Sequence, residues 1–232
     1  MTRKKEDFAE PKIKAFIRKY FPFFIPIFKS IKNLIRPIIS KIRINRILKE
    51  SGEIFLEIGA GEKKGSGKWV TLDITNTCDL FWDLTKGLPF PDESVSKIYS
   101  SHLFEHFSYR DGQKLLDECM RVLKPGGTFS ICVPNSRIYI EAYMGLRTLD
   151  DKQFFTGWKP AYNNTTKIDY VNYVAHLDGH HKYMFDEENL LHILESKGFI
   201  NVRLREFDPN LDKKIRDYES IYAEGAKKRI GG

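Results

Sequence analysis

The sequence has 232 residues, of which 41% are hydrophobic and 30% are charged, and its net charge is +7. A chain of this length and composition can bury one sizeable core, which predicts a single α/β domain with an appendage. The first 50 residues hold 14 Lys and Arg against 4 Asp and Glu, whereas the other 182 hold 24 against 27. Because the folded body is not basic, no nucleic-acid partner is expected.

The three cysteines, Cys78, Cys119 and Cys132, are scattered and form no paired framework. Such usage is typical of a reducing compartment. The longest uncharged apolar run, residues 20–28, is far shorter than the roughly 20 residues that a spanning helix needs, and no secretory signal is predicted. We therefore expect a cytoplasmic protein.

Residues 1–50 are predicted to form a basic amphipathic arm. Apolar side chains recur at helical spacing and share one broad face: Ile27, Phe28, Ile31, Leu34, Ile35, Ile38, Ile39 and Ile42. The basic residues beside that face are Lys29, Lys32, Arg36 and Arg43. Such an arm can bind the inner face of a membrane peripherally through residues 13–49, or it can pack on the domain or cover the cofactor site. The pattern leaves these alternatives open.

Residues 51–232 alternate between strand and helix patterns, which predicts a parallel sheet flanked by helices. The predicted strands are 54–58, 69–72, 80–83, 97–101, 128–133 and 202–207. The predicted helices are 110–123, 187–197 and 212–227, the second beginning after Asp186 and ending before Gly198.

An aromatic-rich insertion at 138–183 follows the fifth predicted strand. Its rings belong to Tyr139, Tyr143, Phe154, Phe155, Trp158, Tyr162, Tyr170, Tyr173 and Tyr183. Rings of this kind can stack on a sugar and exclude water on the acceptor side, or they can form an ordinary small core. Both interpretations stay open, and 163–165 is predicted as a loop tip.

A glycine loop follows the first predicted strand and contains Glu57, Gly59 and Gly61; Asp73 ends the second strand. Glycines allow a tight turn close to a ligand, and an acid at the end of the next strand can bind ribose hydroxyls. A dinucleotide fingerprint needs a third glycine where Lys64 stands, and a Walker A loop fails at Trp69.

The ordered runs FLEIGAG, LDI, DLTKGLPFPDESV, IYSSHLFEH and RVLKPGG resemble those of class I S-adenosylmethionine-dependent methyltransferases. In particular they resemble a bacterial branch associated with lipopolysaccharide, capsule and other surface-glycan synthesis. The resemblance covers residues 53–136 strongly and 180–225 more loosely. It implies a Rossmann-like methyltransferase sheet that binds S-adenosylmethionine.

The resemblance also implies roles for individual residues. The methionine end of the cofactor would be held by Glu57, Gly59 and Gly61, the ribose by Asp73, and the adenine edge by Asp83 and the Leu84 backbone. The sulfonium and the acceptor would be flanked by Ser100, Ser101 and His102. Gly61 and Asp73 are closer in sequence than is usual for the family, so residues 62–68 are predicted to be a loop with little helix.

Histidines are the candidate bases for a hydroxyl acceptor, because imidazole titrates near neutral pH. We expect His102, His106 and His181 to be catalytic, although His106 can instead cap or pack the start of a helix. The histidines at 176–181 lack an established ligand spacing, so no metal site is predicted.

The sequence thus predicts a methyltransferase that O-methylates a glycan or glycan precursor by in-line displacement. One alternative is a methyltransferase of a lipophilic small molecule such as a quinone. Another is a non-catalytic, methyltransferase-like binding module, which would not need Glu57, Gly59, Gly61 and Asp73. Neither the acceptor atom nor the oligomeric state is predicted.

Overall fold

The computed structural model describes residues 24–75, 77–149 and 166–229. The helices are α1 (Phe24–Glu50), α2 (Tyr109–Val122), α3 (Ser136–Met144), α4 (Ile168–His176) and α5 (Glu187–Ser196). The strands are β1 (Phe55–Ile58), β2 (Trp69–Asp73), β3 (Leu80–Phe81), β4 (Val95–Ser101), β5 (Leu123–Pro134), β6 (Ile200–Leu204) and β7 (Ser220–Ala226). Short 3-10 helices lie at Leu84–Lys86, Phe104–His106, Leu177–Gly179 and Lys214–Glu219.

The strands form one seven-stranded sheet in the order β3-β2-β1-β4-β5-β7-β6. The first five strands pair in parallel, whereas β7 runs antiparallel to both β5 and β6. This sheet with flanking helices confirms the predicted α/β class. The strand order reverses between β1 and β4, and ligands of open α/β sheets bind outside the carboxyl ends of the strands at such a point.

The core lies on both faces of the central strands. Buried apolar side chains of the sheet include Leu56, Ile58, Ile98, Phe129 and Ile131. Leu115, Leu116, Cys119 and Val122 of α2 and Leu190, Ile193 and Leu194 of α5 belong to the same cluster. This packing fixes the carboxyl ends of β1 and β4, where the candidate site begins.

The predicted helix at 212–227 is wrong. Its second half is β7, which is paired with β5 from Thr128 to Pro134 and with β6 on its other side. Alanine and glutamate favour helices in isolation, but buried backbone groups must find partners, and two strand edges offer them here. In contrast, the predicted helix near 187–197 is confirmed as α5, with the Asp186 side chain accepting a hydrogen bond from Asn189 N at its start.

Helix α1 packs on the edge of the sheet through a face that the sequence analysis did not single out. Ser40 Oγ accepts a hydrogen bond from Phe81 N at 2.9 Å, Ile44 is buried in the core, and the Arg36 guanidinium lies 4.4 Å from the Phe81 ring centre. The predicted apolar face is exposed at Ile35, Ile38, Ile39 and Ile42. The side chains of Ile27, Phe28, Lys29, Ile31, Lys32 and Leu34 lie outside the described part of the chain.

Candidate active site

A cavity of about 190 Å³ opens at the point where the strand order reverses. Its lining comes from the end of β1, the end of β4 and a loop before the last 3-10 helix: Glu57, Gly59, Ala60, Gly61, Tyr99, Ser101, His102, Leu211, Lys213 and Arg216. The structure thus brings together four of the eight predicted cofactor residues, Glu57, Gly59, Gly61 and Ser101. We call it the cofactor-side cavity.

The glycine loop has the backbone geometry that its sequence predicts. Gly59 and Gly61 have φ angles of 68° and 63°, which L side chains rarely adopt. A Cβ on Gly59 would lie 2.6 Å from Leu103, whereas the space before Gly61 is open. The Asp73 carboxylate accepts hydrogen bonds from Gly61 N at 2.9 Å and Thr75 N at 3.0 Å. Asp73 therefore holds the loop in shape.

Residues 62–68 form turns without a helix, as the short spacing predicted. Within this loop the Lys63 ammonium lies 2.6 Å from Glu57 Oε2. Glu57 is buried, and its carboxylate thus already binds one ammonium group. A carboxylate in this position suits the α-ammonium of a methionine moiety, provided that Lys63 moves aside.

The remaining predicted cofactor residues do not line this cavity. Asp83 caps the 3-10 helix at Leu84–Lys86, because its Oδ1 accepts hydrogen bonds from Thr85 N at 3.0 Å and Thr85 Oγ1 at 2.6 Å. Leu84 is buried in the core, and Ser100 is fully buried in β4. Their roles toward a cofactor stay predictions.

A second cavity, of about 260 Å³, adjoins the first. Its lining comes from separate parts of the chain: His102, Glu105, His106, Pro134, Tyr139, Tyr173, Val174, Leu177, His180, His181, Arg216 and Glu219. We call it the histidine cavity. His102 and Arg216 line both cavities, so the two spaces meet at these side chains.

His102 follows β4 directly and is held in a left-handed backbone conformation, with φ of 49°. Its Nε2 lies 2.8 Å from Ser220 Oγ, which itself donates to Arg216 O at 2.6 Å. Because Ser220 donates its hydroxyl proton to Arg216 O, its oxygen can only accept from the imidazole. His102 therefore carries its proton on Nε2 and a lone pair on Nδ1. Burial lowers the pKa of His102 well below its usual value, which keeps the ring neutral.

His106 and His181 meet across the histidine cavity, with ring centres 5.1 Å apart. His106 Nδ1 lies 3.0 Å from His180 O, and His181 Nδ1 lies 2.8 Å from Val174 O. A carbonyl only accepts, so both rings carry their proton on Nδ1 and a lone pair on Nε2. Burial lowers the pKa of His106, and it lowers that of His181 to about 4. His106 lines the cavity and does not cap α2, because the N-cap of that helix is Ser108.

Glu105 lies between two of the predicted histidines, yet the sequence analysis gave it no role. It is 2% exposed, and neither carboxylate oxygen accepts a hydrogen bond from another described residue. Burial raises the pKa of Glu105 to about 8. A signal in the sequence was its position within the run Leu103-Phe-Glu-His-Phe107, in which three of the neighbouring side chains are apolar.

Two further charged residues of the histidine cavity were also missed. Glu219 is buried and accepts a hydrogen bond from Tyr139 Oη, and burial raises its pKa. Among the described residues, the Arg216 guanidinium has no hydrogen-bond or ion-pair partner. Both lie in the segment predicted to be a terminal helix, so the error in secondary structure concealed them.

Parts of the chain are similar in sequence to known methyltransferases. Residues 75–131 match the family model described as "Methyltransferase domain". A 48-residue stretch is 42% identical to a protein of Mycolicibacterium smegmatis named "Probable S-adenosylmethionine-dependent methyltransferase"; the match covers 21% of this chain and 18% of that protein. The matched residues 75–131 are about a quarter of the chain, and they resemble part of a methyltransferase domain. The relative is named for S-adenosylmethionine, and the open, Cβ-free space before Gly61 and the Glu57 carboxylate suit that cofactor.

Solved structures include similar folds. A methyltransferase of Archaeoglobus fulgidus is 17% identical, with a TM-score of 0.47, covering 86% of this chain and 99% of that one. One from Mesorhizobium loti is 16% identical, with a TM-score of 0.49, covering 80% of this chain and 96% of that one.

The insertion at 138–183 contributes a small core and also borders the histidine cavity. Tyr139 and Tyr173 are buried together with Ala142, Leu149 and Val174, and their rings lie 5.6 Å apart. The small-core alternative is confirmed for this pair, whereas stacking on an acceptor stays a prediction. Phe154, Phe155, Trp158 and Tyr162, and the predicted loop tip at 163–165, lie outside the described residues.

Proposed function

We propose that this methyltransferase domain transfers a methyl group from S-adenosylmethionine to a hydroxyl oxygen of a polar acceptor, a glycan or a glycan precursor. The observation that carries the proposal is the junction of the two cavities at His102 and Arg216. A cofactor in the first cavity and an acceptor in the second would face each other there. Alignment of this kind supplies most of the catalysis of an in-line displacement.

The chain's own residues would bind, orient and deprotonate the acceptor. When bound, the cofactor supplies an electrophilic methyl group on a sulfonium, and the bond from carbon to sulfur breaks as the bond to the acceptor oxygen forms. The hydroxyl proton passes to a neutral histidine, for which the lone pair on His102 Nδ1 is available at the junction. Tyr139 and Tyr173 help to exclude water from the cavity.

Part of the lining suits a polar acceptor, although most of its exposed surface is apolar. Its residues with charged or hydrogen-bonding side chains are His102, Glu105, His106, Tyr139, Tyr173, His180, His181, Arg216 and Glu219. A quinone ring would leave the buried Glu105 carboxyl without a hydrogen-bond partner, which is unfavourable. A sugar hydroxyl can supply that partner.

Two measurements test the proposal. Calorimetric titration with S-adenosylmethionine should give micromolar binding, and no heat at high micromolar cofactor would support the non-catalytic binding module instead. Transfer of a radiolabelled methyl group should then be assayed with surface-glycan oligosaccharides, sugar nucleotides and a reduced quinone analogue. Preferential labelling of the quinone would overturn the polar acceptor and favour the lipophilic alternative.

We also propose that α1 contacts membranes peripherally, at the cytoplasmic face, within residues 13–49. The exposed isoleucines at 35, 38, 39 and 42 form an apolar strip on a basic helix, and such helices bind anionic bilayers. None of the described helices is long and apolar enough to cross a membrane. The strip lies on the side of α1 that the sheet leaves uncovered.

Flotation with anionic phosphatidylglycerol vesicles tests this contact. The double variant Ile38→Ser and Ile42→Ser should reduce flotation at least fivefold, because it removes apolar area from the strip. The control Ile215→Ser removes an exposed isoleucine elsewhere, on the last 3-10 helix. Equal flotation of the double variant and the control would exclude the membrane contact.

A further inference from the structure

We propose that Glu105, His106 and His181 form a binding site for a divalent transition-metal ion in the histidine cavity. Each residue offers one ligand atom, and these atoms lie within 4.8 Å of one another. His106 Nε2 and Glu105 Oε1 are 3.8 Å apart. Metal–ligand distances of about 2.0–2.2 Å place neighbouring ligands about 3 Å apart, so small side-chain rotations complete the site.

The two histidines are oriented as metal ligands are. The Nδ1 proton of His106 is donated to His180 O, and that of His181 to Val174 O. Histidines that bind metals through one nitrogen almost always donate the other N–H to a carbonyl or carboxylate, which fixes tautomer and ring orientation. Both Nε2 lone pairs are therefore left for an ion.

Glu105 supplies the independent observation that points to a cation. Its carboxylate is buried and accepts no hydrogen bond from any other described residue. His102 Nδ1, which carries a lone pair, lies only 3.6 Å from Glu105 Oε1. Several acceptor atoms thus converge where no other described residue donates to the Glu105 carboxyl, and a cation can bind such a buried group in place of a proton.

The charged groups around the cluster allow such an ion. Arg216 lines the cavity and opposes a cation, whereas Glu219 is a second buried carboxylate in the same lining. Two imidazoles and one carboxylate are the ligands of catalytic zinc sites that keep further positions open, and similar sets bind Mn²⁺ or Fe²⁺. The open positions lie beside the cavity.

The role of the ion, unlike its binding, rests on the proposed function. An ion at this place would bind the acceptor hydroxyl oxygen and orient it toward the cofactor-side cavity. With the Nε2 atoms of His106 and His181 engaged, His102 remains the base at the junction. The site thus favours acceptors that offer an oxygen ligand, such as a sugar hydroxyl.

Metal binding is tested on the full chain, purified without a polyhistidine tag and stripped with a chelator. Equilibrium dialysis against Zn²⁺ and against Mn²⁺, with metal analysis of the protein, should give one ion per chain. Loading with Co²⁺ should give visible d–d absorption bands. His181→Ala and Glu105→Gln should each weaken binding at least tenfold, whereas His192→Ala, on the exposed side of α5, should not change it.

Circular dichroism melts of each variant separate loss of the site from loss of the fold, and Glu105→Gln keeps the shape of the side chain. Absence of stoichiometric binding by Zn²⁺, Mn²⁺ and Co²⁺, or equal binding by folded His181→Ala and His192→Ala, would overturn the site. Titration with S-adenosylmethionine is measured separately. Metal binding without cofactor binding would overturn the proposed function and leave the metal site standing.

Discussion

The two cavities of this domain are built in different ways. The cofactor-side cavity is formed largely by short runs at the ends of β1 and β4, where backbone geometry at Gly59 and Gly61 shapes the space. The histidine cavity is assembled from side chains of 102–106, 134–139, 173–181 and 216–219. The first leaves a local signature in the sequence. The second depends on how the whole chain is folded, and it meets the first at His102 and Arg216.

The largest effect is expected at a buried ion pair next to Tyr99 and Leu211, which line the cofactor-side cavity. Arg205 binds Asp212 through two hydrogen bonds of 2.6 and 2.8 Å, and Asp212 also accepts from Tyr99 Oη at 2.8 Å. Arg205→Ala would leave Asp212 buried without its charge partner, which costs about 3–5 kcal/mol in the free energy of unfolding. Urea denaturation measures this loss.

Arg203→Ala is the matched control, because Arg203 pairs with Glu224 at the surface and its side chain is 74% exposed. We expect a loss of about 1 kcal/mol or less. If both variants lose the same stability, the buried pair contributes no more to the fold than the surface pair, and the cofactor-side cavity does not depend on it.

The second largest effect is expected at His102. A substitution there tests whether this residue acts as the base or binds the cofactor. His102→Asn keeps the left-handed backbone, which asparagine tolerates, and removes the candidate base. We expect kcat to fall about 100-fold, the size typical of general base catalysis, while the cofactor Kd stays within about threefold. His192→Asn should leave both constants unchanged. A large rise in the cofactor Kd would place His102 on the cofactor side.

The contrast between the cavities also explains what could be predicted. The strands that carry Glu57, Gly59, Asp73 and His102 were recognisable because periodicity and glycine positions are local properties. The burial of Glu105 was not recognisable, since it depends on residues 173–181 packing over it. β7 was missed because alanine and glutamate favour a helix, and only the neighbouring strands β5 and β6 override that preference.

A smaller effect is expected in the glycine loop. Gly61→Ala strains the backbone at φ of 63° by about 1–2 kcal/mol and also places a Cβ in the cofactor-side cavity, so cofactor affinity should fall about tenfold when measured by calorimetry. Gly67→Ala imposes similar backbone strain at φ of 61° outside the cavity. Its cofactor affinity should stay within about twofold. If both variants lose the same cofactor affinity, strain anywhere in the loop lowers that affinity, and the open space at Gly61 has no special role.

The smallest effect is expected on α1, of which no described residue lines either cavity. Ile42→Ala removes an exposed side chain and should change the free energy of unfolding by no more than about 0.5 kcal/mol. Ile44→Ala, two positions on, empties a buried site and should cost about 2–5 kcal/mol. Neither folded variant should alter cofactor affinity. If Ile42→Ala changes the cofactor affinity, the arm covers the cofactor site, which is one of the alternatives left open by its sequence.

The contact between α1 and β3 has a consequence for self-association. β3 is the outermost strand on its side, and an outermost strand with free peptide groups invites strand addition by another chain. Here Phe81 N donates to Ser40 Oγ, and Asp79 O accepts from Arg43 at 2.8 Å, so the helix occupies groups that a foreign strand would use. A chain truncated at residue 50 would expose them and aggregate, which makes point substitutions in α1 the cleaner way to study membrane contact.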